Sequence, residues 1–191
     1  RIRQELFKLL AASGAVATLR IMARAGILRH VLPYTEEWRV LGRLPADPVL
    51  RVSVLAADPE GLRDRLRLSN REAQRIAALG ATPPPTPGLR PAEQKAILYR
   101  LGPEAWADAV HLAWARSQAP RGDRGWQRLL NLPRRWTIPV FPVTGHDLLG
   151  RGMAAGPELG ERLHRLEDWW IAMDFKPGKV EILGRLTAEG N

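Results

Sequence analysis

Apolar residues recur at helical spacing along most of the chain. Over 1–12, Ile2, Leu6, Leu9 and Leu10 fall on one face of a 3.6-residue helix. Over 15–25 the pattern returns through Val16, Leu19 and Ala23, and Gly26 before Ile27 reads as a glycine C-cap. Asp58-Pro59 reads as an N-cap and first-turn proline for a helix carrying Leu62 and Leu66. Ser69-Asn70-Arg71-Glu72 has the spacing of a capping box, opening a helix through Ile76 and Leu79. Pro91 starts a helix to Leu101, Gly102-Pro103 breaks it, and a second helix carries the stripe Trp106, Val110, Trp114.

Further on, 125–132 reads as a short helix ended by Pro133, and 136–143, with two prolines, as extended chain. The stretch 143–170 predicts a short helix, a glycine-broken turn and a Pro-started amphipathic helix. In that helix Leu159, Leu163, Leu166 and Trp170 form the apolar stripe. A final short helix is expected over 179–186. No pair of alternating Val/Ile-rich runs asks for a sheet, so the expected class is all-α, a multi-helix array in two packed helical subdomains. The run GATPPPTPGLRP can sustain neither helix nor central strand. It divides the chain into a helical region 1–80, a Pro-rich linker 81–91 and a helical region 92–191.

Composition then limits the function. The chain has 191 residues and 29 Lys+Arg against 20 Asp+Glu, a formal charge of +9, with hydrophobic residues at 45%. It is therefore a globular chain with a core, and not a disordered basic tail. Nearly all the positive charge is arginine, whose planar fork suits phosphates and whose face stacks on bases. The competing reading is that many of these arginines are merely solvated. There is no cysteine, which rules out disulfides and thiolate metal sites. No apolar run approaches the roughly 20 residues of a membrane span, and no signal-peptide core is present; the expected location is cytoplasmic. A chain that starts with Arg inside a helical pattern is expected to be part of a longer one.

No catalytic constellation emerges. Nucleotidyl transfer needs clustered carboxylates for Mg²⁺, and no Asp-x-Asp pair occurs. Glu167 and Asp168 are sequential and point apart on a helix. His146-Asp147 has the dipeptide of His/Asp metal phosphohydrolases, but the further ligands lack supporting context around His111 and Asp174. Asp147 reads instead as a cap for the short Leu148-Leu149 helix. No residue of this chain is therefore nominated as catalytic or as a metal ligand.

Binding residues are easier to nominate. Gly145, Gly152, Gly156 and Gly160 leave backbone bare around the turn, where a phosphate strand can approach. The Gly156-Pro157 helix start offers free N–H groups, although Glu158 and Glu161 in its first turn oppose an anion and suit Arg162 and Arg165 as ion-pair partners. Arg63, Arg65, Arg67, Arg71 and Arg75 crowd two successive helices, a pattern that is usually a solvated face. Trp169 shares a helix face with Arg162 and Arg165, which makes it the tryptophan to test against RNA.

Three segments together resemble the bacterial CCA-adding tRNA nucleotidyltransferase and poly(A) polymerase family. Arg1-Ile2-Arg3-Gln4-Glu5-Leu6 resembles the helix that follows the family's catalytic head. Leu66-Arg67-Leu68-Ser69-Asn70-Arg71-Glu72 is similar to the family's stretch of Leu, a cation, Leu-Ser-Asn, a cation and Glu. Gly145-His146-Asp147-Leu148, Gly152 and Gly156-Pro157-Glu158-Leu159-Gly160 resemble its C-terminal glycine signature, with His146 where Lys or Arg is common. The resemblance implies the helical neck, body and tail behind an upstream head, holding the tRNA acceptor and T-arm side by shape and backbone. It places Mg²⁺ with the parent enzyme and no cofactor in this chain. The nominated RNA contacts are Arg1, Arg63, Arg67, Arg71, Gly145, Gly152, Gly156, Gly160, Arg162, Arg165 and Trp169. An RNA-binding region of a poly(A) polymerase and a non-enzymatic helical protein-interaction module are the alternatives.

Overall fold

The computed structural model describes residues 1–59, 61–81 and 83–188; Thr82 of the expected linker and the last three residues of the expected second region lie outside them. Among the described residues the chain forms thirteen helices and no strand, so the all-α expectation holds. In order they are α1 (Ile2–Ala11), α2 (Ala15–Arg24), α3 (Leu28–Val31), α4 (Trp38–Leu41), α5 (Pro48–Leu55), α6 (Leu62–Leu66) and α7 (Asn70–Ala81). There follow α8 (Pro91–Arg116), α9 (Arg124–Leu130), α10 (Leu132–Arg135), α11 (Gly145–Leu149), α12 (Pro157–Ala172) and α13 (Lys179–Ala188). The one isolated β-bridge among them joins Tyr34 to Ala56.

Local chemistry sets most of the boundaries. Gly26 stands at φ +70° after α2, where its N–H donates to the Ala23 carbonyl and that of Ile27 to Met22. That is a Schellman ending, which glycine adopts without strain. The Ser69–Glu72 box is closed both ways, Ser69 N to Glu72 Oε2 at 2.8 Å and Glu72 N to Ser69 Oγ at 3.3 Å. Asp47 caps α5 through Leu50 N, and Asp123 caps α9 through Gly125 N and Trp126 N.

Three expectations need correction. Asp58 does accept from Gly61 N at 3.0 Å, but that bond closes a turn and α6 begins only at Leu62. Pro133 does not end a helix. It sits in the first turn of α10, where an N–H has no partner to lose. The cap of α11 is Thr144, and Asp147 is the reciprocal member of its box, accepting from Thr144 N at 2.9 Å and Thr144 Oγ1 at 2.8 Å.

Burial follows the apolar stripes. A first cluster gathers Leu6, Leu10, Leu19, Leu28, Leu50, Leu62 and Ile76 from α1 to α7. A second holds Leu98, Trp106, Val110, Trp126 and Leu129; Trp114 stacks on Trp126 with ring centroids 6.1 Å apart, and Trp106 Nε1 donates to the Leu129 carbonyl. The third packs Leu148, Leu166, Trp170, Ile182 and Leu183.

The α8 helix runs through all three clusters. Ala115 and Leu112 join the first, Leu98 and Trp106 the second, Ala96 and Tyr99 the third. Gly102 at φ +72° and ψ 171°, with Pro103 behind it, bends the helix at the expected break.

Candidate nucleic-acid interface

Where the guanidinium groups go decides what they can grip. Many are used inside the molecule. Arg51 is buried, and its guanidinium donates to the carbonyls of Leu10, Ala12 and Leu44 at 2.6, 3.1 and 3.2 Å. Those carbonyls close the end of α1 and the turn before α5, and burial lowers the Arg51 pKa. Arg75 forks onto Asp108 and also reaches Asp47. Arg43 donates to the carbonyls of Ala119 and Trp114, Arg121 to Gly42, and Arg65 to Val31. Arg3 pairs with Glu72 and Arg116 with Glu37. The arginine run 63–75 is thus not the uniform wet face that its spacing suggests.

The nominated side chains fall into three groups, and the glycines form a fourth. Arg1, Arg67 and Arg165 are exposed, and none has a polar partner among the described residues. Arg67 ends α6 in the left-handed region at φ 49°. Arg63 and Arg71 are exposed but tied, Arg63 to Asn70 Oδ1 at 2.8 Å and Arg71 through Nη2 to both Glu104 carboxylate oxygens at 3.0 and 2.9 Å. Such exposed bonds exchange readily for a phosphate.

Two further α12 residues, Arg162 and Trp169, behave differently. Arg162 is half-buried. Trp169 packs at the edge of the third cluster, and the Arg185 guanidinium lies 4.9 Å from its ring centroid. Its neighbour Trp170 fills the core, donating from Nε1 to the Pro177 carbonyl at 3.0 Å. As adjacency on a helix requires, only Trp170 faces inward.

The glycine bend is open. Gly150, Gly152, Ala154, Ala155 and Gly156 are exposed, and nothing lies within 4 Å of a Cβ built at Gly152, Gly156 or Gly160. Gly152 takes φ +87°, a conformation glycine adopts freely. Gly145 acts through packing instead. A Cβ there would stand 3.2 Å from Leu159 Cδ2, so the glycine lets α11 lie close on α12. Asp147 anchors the same corner through Lys179 Nζ at 2.6 Å. That bond, with the two from Thr144, draws its pKa down to about 2.

Two groups of open cations escaped the reading of the sequence. Arg20 and Arg24 stand one helical turn apart on α2, both exposed and without a partner among the described residues, beside Tyr34, Glu36 and Trp38. Arg124, Arg128, Arg134 and Arg135 crowd the exposed side of α9 and α10. Their i,i+4 and sequential spacing was a usable signal, obscured by the larger crowd in α6 and α7. Among the described residues no group of three His, Asp or Glu side chains is arranged to hold a metal ion, and no helix is long and apolar enough to cross a membrane.

Comparison with known proteins adds to this map of open charge. Residues 1–39 match the family described as "Probable RNA and SrmB- binding site of polymerase A". The match spans α1 to the start of α4 and includes the open arginines Arg1, Arg20, Arg24 and Arg29. The chain is 42% identical over 64 residues to the mitochondrial CCA tRNA nucleotidyltransferase 1 of Danio rerio, covering 34% of this chain and 15% of that protein. It is 38% identical over 55 residues to the protein of the same name in Homo sapiens, covering 29% and 13%. An uncharacterised 28 kDa protein of Rhodospirillum rubrum is 29% identical over 100 residues, 49% of this chain and 39% of its own length. The matched stretch is therefore a small part of the two nucleotidyltransferases. With the family match over 1–39, it supports an RNA-binding portion.

Proposed function

We propose that this chain is the tRNA-binding helical portion of a CCA-adding tRNA nucleotidyltransferase, with catalysis and Mg²⁺ supplied by a head domain upstream. One observation carries the reading: the segment similar to an RNA-binding site also displays unpaired, exposed arginines on a stapled helical scaffold. Such a scaffold holds RNA by its phosphates and 2′-hydroxyls, which are the same in every tRNA. The open bend at Gly152 supplies the close backbone approach, and Arg67 and Arg165 supply charge.

Titration of labelled tRNA into the purified chain tests this. Binding that weakens steeply with salt supports it; a flat response, or self-association without RNA affinity, overturns it in favour of a protein-interaction module. The chain alone adds no nucleotide from CTP or ATP on this reading. The polymerase A description of the matched segment keeps an RNA-binding region of a poly(A) polymerase as the second reading. Competition decides between them: tRNA displaces bound poly(A) easily on the first reading and poorly on the second.

A further inference from the structure

We infer that the cleft between α2 and the Tyr34–Trp38 segment seats one unpaired RNA nucleotide, its base against the aromatic pair and its flanking phosphates on Arg20 and Arg24. The inference rests on the RNA-binding reading for the class of ligand, and adds to it a place and a strand state. The cleft encloses about 320 Å³ and is lined by Arg20, Ala23, Arg24, Tyr34, Glu36 and Trp38. That is the lower end of the range for small-ligand clefts.

Its parts are set before any ligand arrives. The Tyr34 and Trp38 rings stand 6.1 Å apart at 39° and are both half-buried, so each keeps a footing in the core and an edge in the cleft. The strand-like strap that carries Tyr34 is fastened to the end of α5. Thr35 N donates to the Leu55 carbonyl at 2.8 Å, Thr35 Oγ1 to Val54 at 2.7 Å, and Ala57 N to Pro33 at 3.0 Å. On the facing wall the two arginines share one face of α2 at i and i+4, and neither is held by a carboxylate or carbonyl among the described residues.

Double-helical RNA does not fit this chemistry, because its bases are stacked on each other and offer no face to a side chain. An unpaired nucleotide offers both a base face for the aromatics and phosphates for the arginines. Glu36 is the one acid of the lining. Its carboxylate accepts from an exocyclic amine, which cytosine, adenine and guanine carry and uracil lacks.

The test uses a fluorescent hexanucleotide of cytidylate, titrated by anisotropy into the full chain. The double variant Arg20→Ala/Arg24→Ala is expected to bind it about tenfold more weakly and to lower the salt slope by about 1.4, two phosphates at about 0.7 each. Trp38→Phe is expected to keep the affinity within about threefold while removing most of the intrinsic fluorescence change on binding. The uridylate hexamer is expected to bind several-fold more weakly than cytidylate.

Equal binding of cytidylate by wild type and the double variant overturns the site, as does a fluorescence change that survives Trp38→Phe. Equal affinity for uridylate overturns the role of Glu36. If wild type binds tRNA but not the hexamer, the cleft falls and the RNA-binding reading stands. If it binds neither, both fall.

Discussion

The Arg75 guanidinium lies between Asp108 and Asp47, forking onto the first, 33 residues away, and donating to the second at 2.8 Å. It ties α7 to α8 and both to the cap of α5. The Arg75 side chain is 19% exposed and that of Asp108 6%, and the paired carboxylates push the Arg75 pKa up against the desolvation that opposes it. Removing one member leaves a buried charge without its partner. Arg75→Ala is therefore expected to destabilise the fold by about 3–5 kcal/mol, read from urea unfolding. The apolar pair Arg75→Met/Asp108→Leu is expected to recover a good part of that loss.

Arg51 makes a comparable claim with no carboxylate in its hydrogen-bonded set. Its planar fork satisfies three carbonyls at once, two of them at the end of α1. Lysine keeps the charge but cannot reach three acceptors from one stem in that geometry. Arg51→Lys is expected to lower stability by about 2–3 kcal/mol, since buried acceptors lose their donors. Hydrogen exchange at the end of α1 should rise together with the global loss. A change confined to thermal midpoint, with α1 protected as before, would contradict the capping role.

What is legible in the sequence is local. The Ser69–Glu72 box, the Gly26 ending of α2, the Gly102-Pro103 break and the Leu166–Trp170 stripe each depend on residues within one or two turns. Arg51 and Arg75 are not legible as staples, because their partners lie far away in the chain and an arginine on a helix reads the same whether it meets water or a carbonyl. Pro133 is ambiguous because proline ends one helix and begins the next by the same missing N–H. On the candidate interface, the open bend is visible in its glycines. The cleft beside Arg20 is not, because it forms only when the Tyr34 strap docks on the end of α5.

Asp147 couples the glycine corner to pH. Its carboxyl is held at about 2, by Lys179 first and then by the Thr144 N–H and hydroxyl, against an ordinary value of 3.8. A carboxyl depressed in the folded state stabilises it above its unfolded pKa and loses that contribution as pH falls. The stability lent by Asp147 is thus full above about pH 4.5, declines as pH falls below the ordinary value and is gone only below about pH 2. Urea midpoints of wild type and Asp147→Asn are expected to differ at about pH 6, to draw together below the ordinary value of 3.8 and to meet only below about pH 2. Parallel curves would show that the carboxylate does not hold this corner.

Gly160 separates folding from binding in one substitution. It lies inside α12 with open space where a Cβ would stand. Alanine is the better helix former by about 1 kcal/mol, so Gly160→Ala is expected to raise the melting temperature. If RNA approaches the backbone there, the same methyl obstructs it and tRNA affinity falls. A more stable variant with unchanged affinity would remove Gly160 from the interface.

The salt dependence of tRNA binding distinguishes arginines that grip from arginines that staple. Each phosphate neutralised contributes about 0.7–0.9 to the slope of log affinity against log salt. Arg67 and Arg165 are open, so Arg67→Gln and Arg165→Gln are each expected to weaken binding and to reduce the slope by about that amount. Arg65 has its Nε on the Val31 carbonyl at 2.8 Å. Arg65→Gln should shift the unfolding midpoint more than Arg67→Gln does and reduce the slope by less, since its Nε is committed to a carbonyl of the fold while only its exposed Nη groups are open to a phosphate. Slopes measured from about 50 to 200 mM KCl on the three variants, a range over which phosphate contacts lose affinity steeply, decide the division. If Arg65→Gln flattens the slope and Arg67→Gln does not, the face gripped by RNA is a different one.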